Sequence, residues 1–181
     1  MRTLLGLLLA VLLTACTTPV PPPPRGGAAT LPGPLPAGVT FTAPPTGAGT
    51  APDFTVPLTD DTLVTASALW KDRPLVVVFF SSWCGKCGQE QGKLVELAGR
   101  YKDRVVFLGV AQRDTPDAVR TFLDTHQVPY PVGRDDAAST VGRSYAVAEP
   151  PLLAVVAPGG TLLKGLTTAA AVEKELAGLV A

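Results

Sequence analysis

The chain has 181 residues, with 15 Lys and Arg balanced by 15 Asp and Glu, 46% hydrophobic residues, 19 prolines and three cysteines. That length suits one globular domain with an appendage, and zero formal charge argues against nucleic acid, whose phosphates demand a basic excess or a clustered basic face. Three cysteines are too few for a disulfide-stapled mini-protein, and no second CxxC completes a four-ligand zinc site.

Arg2 is the only charged side chain before Arg25, and residues 3–15 are uncharged and rich in leucine. As a helix this run would measure about 20 Å, short of the ~30 Å core of a bilayer. It reads as a signal peptide over residues 1–15 and not as a spanning segment. Its end, Leu13-Thr14-Ala15-Cys16, resembles the bacterial lipobox. That resemblance implies that Cys16 is acylated and becomes the new N-terminus, which leaves two thiols to pair. Residues 16–52 follow as a Pro/Gly-rich linker with Arg25 as its single charge. Pro21-Pro22-Pro23-Pro24 supplies no backbone donors and favours an extended conformation. The segment reads as a semi-rigid stalk between a lipid anchor and a domain.

The folded domain is expected over residues 53–181. Residues 53–58 and 62–65 flank Asp60-Asp61 and read as a short hairpin. Pro74-Leu75-Val76-Val77-Val78-Phe79-Phe80 is a continuous apolar run, as in a strand buried on both faces. Helical spacing follows over residues 84–101, and residues 104–110 form a second buried strand, completing a βαβ unit. Asp114 or Thr115 caps a helix that has Pro116 in its first turn and runs to about His126. Residues 128–132 read as a short strand and 136–145 as a short helix. Two further strands, 152–157 and 161–166, flank the turn Pro158-Gly159-Gly160, and a helix over 168–179 closes the chain. The fold class is α/β: a sandwich around a mixed sheet, with an N-terminal hairpin and an inserted helix–strand–helix segment.

Cys84-Gly85-Lys86-Cys87 falls between a buried strand and a helix. Residues three apart on a helix face the same side about 5–6 Å apart, within the Cα separation of a disulfide. Cys84 would sit at the open N–H groups and positive end of the helix, which favour the nucleophilic thiolate. Lys86 adds positive charge in the same direction. Cys87, one turn in, should be the more buried. Cys84 is therefore expected to attack a substrate sulfur and Cys87 to resolve the mixed disulfide.

Trp83-Cys84-Gly85-Lys86-Cys87 after an apolar strand resembles thioredoxin. Ala51-Pro52-Asp53-Phe54 and Cys87-Gly88-Gln89-Glu90 resemble more closely the TlpA/ResA-type branch, which consists of membrane-tethered extracytoplasmic thiol–disulfide oxidoreductases. The resemblance spans about 53–181 and implies a thioredoxin-like fold. It implies that Pro151, beside Pro150, is the cis-proline that presents backbone to an extended substrate. It also implies that Glu90 is the acidic residue that exchanges a proton with Cys87, while Trp83, Gly85 and Lys86 position the substrate. Departures occur too: the buried Asp of thioredoxin strands is Val78, a helix-kinking proline is Gly92, and a pair of threonines after the cis-proline is Leu152-Leu153.

The expected function is an extracytoplasmic enzyme that reduces disulfides in exported proteins. It needs no prosthetic group beyond the Cys84–Cys87 disulfide and no metal. Expected partners are protein thiols or disulfides (apocytochrome c thiols among those the family implies), a membrane electron donor or acceptor, and the membrane itself through the lipid. A monomer and no nucleic acid are expected. The alternatives are a disulfide oxidase and a Cu(I) chaperone, since two thiolates suit that ion. A chaperone would want a further ligand, and His126 ends a helix away from the motif in sequence. A purely structural bond is disfavoured because so short a loop constrains the unfolded chain little. A peroxiredoxin motif would place Pro and Thr where Val77 and Ser81 stand.

Overall fold

The computed structural model describes residues 23–180. Its centre is a five-stranded sheet in the order β5-β4-β3-β6-β7. Strands β3 (Leu75–Phe80) and β4 (Val106–Ala111) are fully buried and parallel. Strand β5 (Val132–Arg134) continues the parallel half on one side. Strands β6 (Leu152–Val156) and β7 (Leu162–Leu166) form an antiparallel pair on the other. The mixed α/β sandwich is the architecture expected from the sequence.

Period-two alternation explains why the apolar run of β3 fills both layers. Val76, Val78 and Phe80 join one core cluster with Cys87, Leu94 and Leu97 of helix α2 (Gly85–Arg100), Val119, Phe122 and Leu123 of α3 (Pro116–Thr125), and Val172 and Leu176 of α5 (Ala169–Leu179). Leu75, Val77 and Phe79 join the other. That layer is closed by the hairpin β1 (Thr55–Pro57) and β2 (Leu63–Thr65), by α1 (Ala66–Leu69), and by Val141 and Tyr145 at α4 (Thr140–Ser144). Each fully buried aliphatic side chain contributes roughly 1.5–3 kcal/mol, so β3 anchors both layers at once.

Local chemistry sets several boundaries. Thr115, not Asp114, caps α3, its hydroxyl accepting from Ala118 N–H at 3.2 Å. The strand expected over 128–132 begins only at Val132, because Pro129 and Pro131 cannot donate to a ladder. The helix expected over 136–145 is confined to α4. Ser139 ahead of it is left-handed, with φ 52°, and the Asp135 carboxylate accepts from the amides of Asp136, Val141 and Gly142. That pairing assigns Asp135 to capping. The four-residue α1 escaped the sequence reading, since one turn carries no periodicity.

The largest difference from expectation concerns the stalk. From Arg25 onward the segment is a clasp laid against the domain. Val132 N–H donates to Gly26 O at 2.8 Å, Ala28 N–H to Asp60 at 2.7 Å, and Gly33 N–H to Asp103 at 2.9 Å. Buried Arg73 donates to Gly33 O. Farther on, Thr42 N–H donates to Leu179 O, and Leu162 N–H to Gly49 O at 2.9 Å. The segment could not order itself alone, but the domain offers it waiting partners. β5 and β7 are sheet edges with open backbone groups, and Gly26 and Leu58 meet one edge while Gly49 and Thr50 meet the other. Gly26 is obligatory at φ +79°, where an added Cβ would stand 2.8 Å from Leu123.

Two outcomes test the clasp. A chain starting at residue 53 should lose roughly 3–5 kcal/mol relative to one starting at residue 23, from the bonds above at about 1 kcal/mol each less the entropy of ordering the segment. Its freed edges should promote concentration-dependent association, read by denaturant melts and sedimentation. The Asp60 carboxyl sits slightly desolvated, yet the Ala28 and Thr62 hydrogen bonds hold it below its ordinary value. A depressed folded-state pKa means the bond stabilises above the unfolded value, near 4, and is lost as pH falls through the folded one. The melting difference between wild type and Asp60→Ala should therefore shrink below about pH 4.

Candidate active site

β3 ends at Phe80, and the chain turns through Ser81-Ser82-Trp83 before α2 begins. This turn is bolted to the loop after β4. Gln112 N–H donates to Phe80 O at 2.9 Å, and Ser81 Oγ donates to Gln112 O at 2.7 Å. Ser82 donates to Asp114 twice, from its amide at 2.7 Å and from its hydroxyl at 2.6 Å. Asp114, one of the two candidate caps of α3, is thus taken by the site instead.

Cys84 is the N-cap of α2, with extended backbone (φ −84°, ψ 104°). Its sulfur accepts the Cys87 N–H at 3.1 Å, and its carbonyl accepts from Gly88. Cys84 and Cys87 are joined as a disulfide with Cα atoms 5.2 Å apart. Cys84 is 9% exposed and Cys87 2%, so a visiting sulfur can reach the first far more readily. Once the bond is reduced, the capping amide and the positive helix end both favour the Cys84 thiolate.

The cis peptide bond is Pro150-Pro151. Cys84 Sγ lies 3.5 Å from Pro150 O, a contact that a reduced thiol would make as a donor. Pro151 thus flanks the pair at the start of β6. Gly85 has open space around the position of a Cβ, and Lys86 is exposed beside it. Trp83 is 59% exposed. The Arg113 guanidinium lies over its indole, 5.4 Å from the centroid.

Glu90 is bonded to the start of α5. Its carboxylate accepts from Ala169 N–H at 2.7 Å, the first amide of α5. Lys93 reaches Glu173 of α5 at 3.1 Å, and Arg100 also pairs with Glu173. The face of α2 carrying these residues is therefore latched to α5. Val78, where thioredoxins keep an acid, is 1% exposed in an apolar layer. Gln91 donates to the buried Tyr130 hydroxyl, and burial pushes that hydroxyl far above its ordinary value despite the bond.

Three contributors were invisible in the sequence. Arg113 and Asp114 lie some thirty residues from Trp83 and Ser82, and no local pattern signals that pairing. His126 is distant in sequence but near in space: a Cβ at Gly88 would come within 3.3 Å of its imidazole. It also packs on Phe122, with ring centroids 4.4 Å apart. Among the described residues no group of three or more His, Cys, Asp or Glu is arranged to hold a metal.

Glu90→Ala should cost about 1 kcal/mol in chemical denaturation, as expected for a lost helix cap. If capping is its whole task, the pH profile of thiol alkylation should stay where it is in wild type.

Comparison with known proteins bears on the same region. The thiol:disulfide interchange protein HelX of Rhodobacter capsulatus is 33% identical over 88 residues, 49% of this chain and 48% of its own. The thiol–disulfide oxidoreductase ResA of Bacillus cereus is 24% identical over 95 residues, 52% and 54% of the two chains. The chain thus spans about half the length of these curated relatives. A solved secreted disulfide oxidoreductase of Mycobacterium tuberculosis, homologous to E. coli DsbE, superposes with TM-score 0.61 at 21% identity, covering 70% of this chain and 96% of that one. These matches agree with the TlpA/ResA-type resemblance, and the superposition establishes the thioredoxin-like fold. The AhpC/TSA family model matches residues 48–168, from the clasp at the β7 edge to the cap of α5, and the chain therefore belongs to the AhpC/TSA family.

Proposed function

We propose that the protein is an extracytoplasmic thiol–disulfide oxidoreductase that reduces disulfides in exported proteins through Cys84 and Cys87. The observation that carries this reading is the Cys84 sulfur, placed at the N-cap of α2 and 3.5 Å from the Pro150 carbonyl. A sulfur so placed is activated by the helix and lies beside backbone on which an extended substrate can align.

The exchange proceeds in two displacements. The Cys84 thiolate attacks one sulfur of a substrate disulfide; the Cys84–substrate bond forms as the substrate's own S–S bond breaks, and the leaving thiolate takes a proton from solvent. Cys87 then attacks Cys84 Sγ, closing the Cys84–Cys87 bond and releasing the second substrate sulfur, which takes up the proton that the Cys87 thiol loses. Two electrons pass to the substrate, so the pair must be re-reduced by a dithiol donor, which in an oxidising compartment implies a membrane partner. The pair itself carries the electrons and no prosthetic group is required. Glu90 is best assigned to holding α5, since its carboxylate contacts Ala169 N–H.

The location rests on the apolar leader, the Leu13-Thr14-Ala15-Cys16 sequence and the secreted character of a fold relative. We place the protein outside the cytoplasm, lipid-anchored through Cys16 to a bacterial membrane and acting as a monomer. The clasp changes the geometry of such tethering. Residues 17–24 alone would separate the lipid from Arg25, and eight residues span at most about 30 Å. The domain would ride close to the membrane surface. Mass spectrometry of the mature N-terminus should find a diacylated or triacylated Cys16; an unmodified start at another residue refutes the anchor.

Cys84→Ser should abolish insulin disulfide reduction, and Cys87→Ser should accumulate mixed disulfides with substrate, visible on non-reducing gels. Retained turnover in the first variant overturns the assignment. Equilibration in dithiothreitol buffers should give a potential near that of thioredoxin, about −270 mV, for a reductase; a value near −120 mV would make the protein an oxidase.

A further inference from the structure

We propose that Arg113 is a positioning residue for substrate binding, clamping the Trp83 indole so that it stands as a fixed wall beside the Cys84 sulfur. The inference rests on the oxidoreductase reading and adds a recognition element to it. Trp83 is one of two large apolar side chains exposed among the described residues, at 59%, and it immediately precedes Cys84. An exposed indole next to a reactive sulfur offers contact area to a polypeptide only if its orientation is held.

The structure holds it through Arg113. That residue has φ +53°, a left-handed conformation that side chains rarely adopt. Its two neighbours are fixed. Gln112 is tied to Phe80 and Ser81, and Asp114 to Ser82 by both carboxylate oxygens. With Asp114 so engaged, the Arg113 guanidinium lies instead over the Trp83 ring, in the geometry of a cation–π contact. The same bonds that fix the turn before Cys84 therefore aim the clamp at the residue within that turn. A strained backbone between two anchored residues needs a reason, and the indole supplies one.

The test uses the full-length chain with a polypeptide disulfide (insulin) and a small neutral one (hydroxyethyl disulfide). Arg113→Gln should raise KM for insulin about three- to fivefold, the ratio expected for losing a partly exposed cation–π contact. The insulin kcat and the small-disulfide rate should change less than twofold, and Arg113→Lys should recover part of the loss. Trp70 is 5% exposed, so acrylamide-accessible emission reports Trp83, and its quenching should steepen in Arg113→Gln. In a double-mutant cycle, adding Arg113→Gln to Trp83→Ala should cost nothing further. An unchanged insulin KM, fully additive effects, or an equal loss on both substrates overturns the clamp. A wild-type chain that turns over neither substrate refutes the oxidoreductase reading, and the clamp with it.

Discussion

The site depends on one hydrogen bond, from Cys87 N–H to Cys84 Sγ at 3.1 Å. Helix N-termini leave their first amides without partners, and Ser, Thr, Asp or Asn usually supplies an oxygen there. Here a sulfur does so, and the consequence is chemical as well as structural. An acceptor that is neutral in the disulfide becomes, on reduction, a thiol whose anion is favoured at the point where the helix concentrates positive potential. A thiolate there would cap the helix more strongly, and the helix in turn favours that thiolate. Folding and reactivity rest on the same contact.

That contact is useful only if α2 begins at a fixed place. Its start is set by β3, whose six buried residues pack into both layers of the sandwich, and by the bonds that staple Phe80, Ser81 and Ser82 to the loop after β4. Its far side is latched to α5 through Glu90, Lys93 and Arg100. The Pro150 carbonyl reaches Cys84 from the start of β6, which pairs directly with β3. Strand ends that lie side by side thus deliver the sulfur, the loop that braces it and the backbone that flanks it.

Much of this was legible in the residues. The apolar run of β3, Pro116 in the first turn of α3, the glycine turn after β6 and the CGKC spacing each carry a local signal, and each element lies within a few residues of where those signals put it. Other features depend on partners far along the chain. Glu90 reads as an acid near a thiol, and its bond to the first amide of α5 has no signal in the sequence. Asp114 reads as a helix cap until Ser82 is brought alongside. His126, a helix away in sequence, folds back against Gly88. Polar side chains choose among partners only after packing has decided which are in reach, and a linear pattern does not record that choice.

The clasp makes the same point at larger scale. Proline and glycine content says that residues 25–50 lack the means to fold alone, and a free stalk follows from that premise. What composition omits is the other surface. A five-stranded sheet has two edges, and each leaves amides and carbonyls open to any passing strand. Gly26 and Leu58 engage the β5 edge and Gly49 and Thr50 the β7 edge. An extended segment with few side-chain demands is suited to such a role, because its backbone groups make most of the hydrogen bonds named above. Each such contact occupies backbone groups that would otherwise stand open at a sheet edge, while Cys84 lies at another place, beside the Pro150 carbonyl.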